Sequence, residues 1–302
     1  MVYDCFLFFN ELELLELRLA TLSEVVDRFV LVESDCTFQG QQKEMTFMAN
    51  RERFQPYLNR IEHVVVQGLP KHENAWEIRR DQCNSLLRGL TNCVPGDLVF
   101  LSDLDEIPNP LAVLSLQRDE RCLKILKKDP IVMAQQMYYY YANCLDSEVW
   151  YGSIAIRWEN FTMTPEELRT LRFRLPRMRD GGWHFTYMGG PERIKTKLAS
   201  LAGAAESRLA SEIDVDTIEN RMKNAENILV TRGDRKFTRI EIDTEYPVSF
   251  QEWLADHPDW ISGSPEELQR RPAPKPTEFI SNIRSWNWFK LRQRINHWFH
   301  WD

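Results

Sequence analysis

Four short apolar runs, each cut off abruptly by polar residues, constrain this chain more than any other feature. They are Tyr3 to Phe9, Phe29 to Val32, Ile61 to Val66 and Leu98 to Leu101. Runs of this length suit strands buried on both faces. Between the first two, leucines at 12, 15, 19 and 22 recur at the spacing of an amphipathic helix within 11–28. Residues 72–90 read as a second helix, followed by the turn Val94-Pro95-Gly96-Asp97. Strands alternating with helices predict an α/β fold with a mostly parallel central sheet covered on both faces. Ligands of such sheets sit at the carboxyl ends of the strands. The residues that end each run are therefore the ones to inspect: Asn10 and Glu11, Glu33, Gln67, and those from Asp103 onward.

The sharpest of these edges is Leu98-Val99-Phe100-Leu101-Ser102-Asp103-Leu104-Asp105-Glu106-Ile107-Pro108. Two carboxylates spaced D-x-D directly after a buried strand offer hard oxygen ligands. Mg²⁺ or Mn²⁺ held by one or two carboxylates keeps positions open for substrate phosphate oxygens. The same string also reads as a solvated acidic turn. No residue pair gives zinc-ligand spacing: the six cysteines, Cys5, Cys36, Cys83, Cys93, Cys122 and Cys144, are scattered and read mainly as buried thiols. A formal net charge of -7 argues against general nucleic-acid affinity.

The acidic string resembles the D-x-D-E-I-P signature of glycosyltransferase family 17. Tyr3 to Glu11 with Leu14 to Leu19 is similar to that family's opening block, and Gly182-Trp183-His184 to a third block. The resemblance spans roughly residues 3–260. It implies a GT-A-like nucleotide-sugar-binding fold and inverting transfer of a sugar from a UDP-sugar donor to a glycan hydroxyl. N-acetylglucosamine and a β-1,4 linkage follow from the family's best-known members. On this reading Asp103 and Asp105 hold Mn²⁺ or Mg²⁺, Glu106 assists by position, and His184 adds a third ligand. An inverting reaction also needs a base for the acceptor hydroxyl. Asp180, just ahead of the Gly-Trp-His block, is the first choice, with Asp146 and Glu148 as competitors near Trp150 and Tyr151. For the nucleotide, Glu33 is a candidate for uracil or ribose. One of Arg79 and Arg80 is expected to reach the diphosphate while the other is a solvated helix charge. Lys195 and Lys197 are weaker candidates for the same task. Two other classes compete: a metal-dependent phosphohydrolase and a non-catalytic glycan-binding protein.

The second half of the chain is less regular. Strands are expected near 132–141, 151–158 and 183–188, helices over 191–232, and irregular structure from 247 to 276. Domain boundaries are placed at 1–262 for the nucleotide-sugar domain and 263–302 for a proline-containing linker and an aromatic, basic C-terminal helix. That helix has two readings: docked on the domain, or lying in a membrane interface. The opening apolar run is too short for a signal peptide or a span. The expected location is cytoplasmic, with peripheral membrane contact through the tail as an option.

Overall fold

The computed structural model describes residues 1–70, 74–229, 235–272 and 280–281. The first part runs β1 (Val2–Phe8), α1 (Leu12–Leu22), β2 (Arg28–Ser34), α2 (Thr46–Ala49), β3 (Ile61–Val66), α3 (Ala75–Asn84), β4 (Leu98–Asp103) and β5 (Glu106–Pro108). The remainder runs α4 (Pro110–Arg118), α5 (Glu120–Leu126), β6 (Ile131–Tyr139), β7 (Cys144–Arg157), α6 (Pro165–Thr170), β8 (Arg177–Thr186), α7 (Pro191–Ser200), α8 (Ala204–Glu212), α9 (Val215–Lys223), β9 (Thr238–Arg239), α10 (Val248–Asp256) and β10 (Ile280–Ser281).

One sheet carries these strands in the order β10-β8-β6-β7-β4-β1-β2-β3. In the half β3-β2-β1-β4 every pairing is parallel. Strand β7 then runs antiparallel to β4, β6 antiparallel to β7, and β8 parallel to β6. This is the α/β, GT-A-like arrangement expected. Period-two alternation builds its two faces. Along β1, Val2, Phe6 and Phe8 join the core under α1, α4 and α10, whereas Tyr3 and Cys5 join a second core with Val30, Leu86 and Leu168. A third cluster, including Tyr139, Ile194, Leu198 and Ile218, lies beneath α7 and α9.

Three expectations about the bounds of elements are corrected, and the reading of the cysteines as mainly buried thiols holds. The first helix is shorter than 11–28, and the span 247–276 contains a regular helix, α10, whose Phe250 and Leu254 are buried. Strand β7 begins at Cys144 rather than near 151, because its polar stretch Asp146-Ser147-Glu148 hides the strand from a hydrophobicity reading. All six cysteines are free thiols, five of them buried. Arg271, in the expected linker, is anchored to Asp243 at 2.8 Å. The aromatic tail lies outside the described residues apart from Ile280 and Ser281, which pair with Met178 and Arg177 of β8. Among the described residues no helix is long and apolar enough to cross a membrane.

Candidate active site

The acidic turn sits where β4 ends, and three distant segments fix its shape. Arg18 of α1 is fully buried and grips the Asp4 carboxylate through Nε at 2.7 Å and Nη2 at 2.6 Å. Its remaining Nη1 donates to the carbonyls of Asp103 (3.2 Å), Leu104 (2.9 Å) and Glu106 (2.7 Å). One guanidinium thereby serves three backbone acceptors of the turn, of which the Glu106 carbonyl also accepts from the Ser153 hydroxyl at 3.0 Å.

The second fixture is strand pairing. Glu106, Ile107 and Pro108 of β5 lie opposite His184, Trp183 and Gly182 of β8, and the Phe185 amide donates to the Asp105 carbonyl at 2.9 Å. Gly182 has φ +130°, and a Cβ there would stand 2.1 Å from the Ile107 carbonyl oxygen, so only glycine fits. The three sequence blocks thus meet at one turn.

The third fixture is Arg169 of α6, which sequence reasoning missed. It is buried and donates to Asp103 Oδ2 at 2.6 Å and to both Glu106 oxygens at 3.1 and 3.2 Å. Glu106 itself is 0% exposed. It also accepts from the Asp103 amide at 2.8 Å and Trp150 Nε1 at 2.8 Å. Gly152 leaves the room it needs, since a Cβ there would reach within 2.9 Å of the Glu106 carboxyl carbon. Glu106 braces the turn from behind and does not face the cavity.

The cavity, about 240 Å³, opens at the carboxyl ends of β1 and β4. Glu11, Lys43, Arg79, Asp103, Asp105 and His184 line it, together with Trp150 and Lys197. Asp105 receives Lys197 Nζ at 2.7 Å on Oδ2, while its Oδ1 stands 3.5 Å from His184 Nε2. Lys197 also reaches Glu11 at 3.5 Å. Burial pushes the Asp105 pKa up, but Lys197 first and His184 second outweigh it and hold the carboxyl well below its usual range. The same balance runs the other way for Lys197. Burial favours the neutral amine, and the Asp105 and Glu11 charges overcome it, so its pKa lies well above the ordinary lysine value. For Asp103, burial is likewise outweighed by Arg169 and Arg79, and the pKa is lowered.

Not every expected residue arrives. Glu33 is fully buried and accepts from the amides of Phe47 (2.6 Å) and Met48 (3.2 Å), with His63 Nε2 at 3.0 Å. It anchors the start of α2 and does not reach the cavity, so a nucleotide role is withdrawn. Asp180 occupies an exposed position of β8 at φ +47°, outside the cavity lining. Asp146 and Glu148 are both held by Arg235, at 3.1 and 2.5 Å, and likewise stay outside it. None of the three carboxylates proposed as base is therefore among the lining residues. Arg79 lines the cavity and pairs with Glu166, whereas Arg80 is an exposed charge 3.7 Å from Asp81. Asn10 and Lys195 line a neighbouring, more open groove.

The expected three-ligand metal set is also corrected. Among the described residues no group of three or more His, Cys, Asp or Glu side chains is placed to hold a metal ion. Arg169 engages Asp103 and Lys197 engages Asp105, each through Oδ2, and Asp105 Oδ1 with His184 Nε2 at 3.5 Å forms the nearest donor pair. Such a pair suits Mg²⁺ or Mn²⁺, which complete their shell from phosphate oxygens and water. His184 Nδ1 is buried without a hydrogen-bond partner, so its ring has donor capacity that the protein does not use.

Residues 1–228 match the profile of Glycosyltransferase family 17. The chain belongs to that family. This family 17 chain is 30% identical over 117 residues to the beta-1,4-mannosyl-glycoprotein 4-beta-N-acetylglucosaminyltransferases of Homo sapiens and Rattus norvegicus. Each match takes in 36% of the chain, which spans only 22% of the length of these relatives. Among solved structures, the chain is similar to M. tuberculosis glucosyl-3-phosphoglycerate synthase, with a TM-score of 0.35 and 14% identity. That match covers 70% of this chain and 78% of the synthase. It is also similar to the T. maritima inositol-1-phosphate CTP transferase, with a TM-score of 0.31 and 12% identity over 72% of this chain and 96% of the transferase.

Proposed function

We propose that this family 17 chain transfers a sugar, N-acetylglucosamine, from a UDP-sugar to a glycan hydroxyl with inversion and a β-1,4-type linkage. The observation that carries the reading is the Asp105, His184 and Lys197 group at the carboxyl edge of the sheet. There a carboxylate kept ionised stands between a half-buried ammonium and an imidazole. The relatives named above support the sugar and the linkage.

The cavity residues divide the work. Lys197, Arg79 and Lys43 give it three cations for a diphosphate. Lys43 is held by the carbonyls of Phe9 (3.2 Å) and Glu44 (3.1 Å), so no carboxylate competes for it at hydrogen-bond distance among the described residues. Mn²⁺ or Mg²⁺ held by Asp105 and His184 would supply Lewis-acid stabilisation of the leaving group. Asp103, clamped by Arg169, fixes the electrostatic floor of the site. The acceptor's proton needs a carboxylate that faces the cavity. Asp103 and Asp105 are poor bases because their cations hold their pKa values low, which leaves Glu11 and Glu206 among the lining carboxylates and makes Glu11→Gln and Glu206→Gln the variants that test proton abstraction.

Calorimetric titration of UDP, UDP-N-acetylglucosamine and UDP-glucose, with and without Mn²⁺, tests the reading directly. Metal-dependent binding, tightest for UDP-N-acetylglucosamine and lost in Asp105→Ala, is expected. Absence of UDP binding in both conditions would overturn the transferase assignment.

A further inference from the structure

The wall of the cavity continues into a basic, aromatic shelf that the donor site does not use. Arg169, Arg172, Arg174, Arg177 and Arg179 fall within eleven residues of a chain whose net charge is -7. Arg169 is consumed by Asp103 and Glu106. Among the described residues the other four form no ion pair with a carboxylate, although Glu106 and Asp103 lie near enough to Arg172 to favour its charge. Two of them are held in place by aromatic rings. The Arg172 guanidinium lies 4.6 Å from the ring centroid of Trp150, which lines the cavity, and 5.0 Å from that of Phe173. Phe173 meets Tyr151 edge-on at 6.2 Å, and Arg177 lies 4.1 Å from the Tyr151 ring while donating to its hydroxyl at 3.0 Å.

This arrangement is costly without an anion. Arg172 is half-buried, and burial, with the like charges of Arg169 and Arg79, disfavours its charged form more than the nearby Glu106 and Asp103 carboxylates favour it. Arg177 Nη2 also donates to the Phe173 carbonyl at 3.4 Å, and its Nε is buried with no hydrogen-bond partner. Stacking orients a guanidinium and leaves its edge donors available for an oxyanion. Phe173, 56% exposed, adds an apolar face of the kind that sugar rings cover.

We propose that the acceptor is an acidic saccharide, whose carboxylate or phosphate is taken by Arg172 and Arg177 while a sugar ring packs on Phe173. The proposal rests on the transferase reading above and specifies its acceptor class. Trp150 links the two sites: its ring lines the donor cavity, its Nε1 holds Glu106, and Arg172 lies against it.

The test uses the full chain with saturating UDP and Mn²⁺, and measures binding of saccharides of equal size. The probes are a neutral mannotriose, a trigalacturonate and a phosphorylated mannose oligosaccharide. At low salt at least one acidic probe is expected to bind tenfold or more tighter than the neutral one. That preference should shrink as salt is raised, and again in Arg172→Gln. Arg172→Lys, which keeps the charge and loses the fork, should retain part of it. Phe173→Ser, at an exposed ring, should weaken acidic and neutral probes alike by several-fold. Equal binding of neutral and acidic probes, or a preference untouched in Arg172→Gln, overturns the proposal. So does Arg172-dependent capture by phosphatidylglycerol vesicles without saccharide preference, which would assign the shelf to a membrane surface. UDP binding, measured separately, distinguishes failure of this proposal from failure of the transferase reading.

Discussion

In the parallel half of the sheet, β3-β2-β1-β4, apolar strands end in the carboxylates Glu11, Asp103 and Asp105. Beyond β5, the mixed half supplies Arg169, His184 and Lys197, the groups that meet those carboxylates. Clustered carboxylates repel one another in a partly buried site, and their pKa values would rise if nothing opposed them. Here Lys197 and His184 of the second half reverse that direction for Asp105, and Arg169, aided by Arg79 of α3, reverses it for Asp103. The comparison teaches that the D-x-D turn is only half of the site. Its acidity is local in sequence, and its neutralisation comes through the fold.

The strongest challenge to that comparison is Arg18→Met, which attacks the turn from within the parallel half. It removes one partner of a fully buried ion pair, strands the Asp4 carboxylate and takes a donor from three backbone carbonyls, of which that of Glu106 keeps Ser153. The expected loss is roughly 3–5 kcal/mol of unfolding free energy, read by chemical denaturation. A loss below about 1 kcal/mol would mean that the turn is held elsewhere.

A smaller effect sharpens the link between the halves. The folded-state pKa values of Asp103 and Asp105 lie below those of an unfolded chain, near 3.9. The stability they contribute is therefore fully present above about pH 4 and falls away as the pH drops below it. Wild type should lose stability on that acid limb more steeply than Asp105→Asn, as followed by unfolding curves at stepped pH. Parallel limbs in the two proteins would show that Lys197 does not control the Asp105 charge.

The smallest effect belongs to Asp180→Asn. Because this residue is exposed and outside the cavity lining, stability should change by no more than about 0.5 kcal/mol, and transfer should stay within twofold of wild type. A large drop in kcat with intact folding would restore Asp180 as the base.

Much of the architecture was legible in the chain. Runs such as Leu98 to Leu101 end at the cavity as the edge rule requires, and Gly182-Trp183-His184 lies beside the acidic turn. Glu33 shows where that reasoning failed. A carboxylate at a strand end looks the same in sequence whether it faces a ligand or, as here, accepts two backbone amides beneath a neighbouring helix. Arg169 had no distinguishing local signal, because an arginine in a short acidic helix reads as solvated.

By itself the sequence determined the alternating strands and helices, the acidic turn at a strand end, and the glycine without which β8 could not approach β5. These depend on side-chain periodicity and backbone sterics, which act over a few residues. Tertiary structure alone decided which charges meet. Arg169 lies 66 positions from Asp103 and Lys197 lies 92 from Asp105. Pairs so distant follow from the path of the chain through the sheet, since an ion pair leaves no periodic trace in the residues that form it.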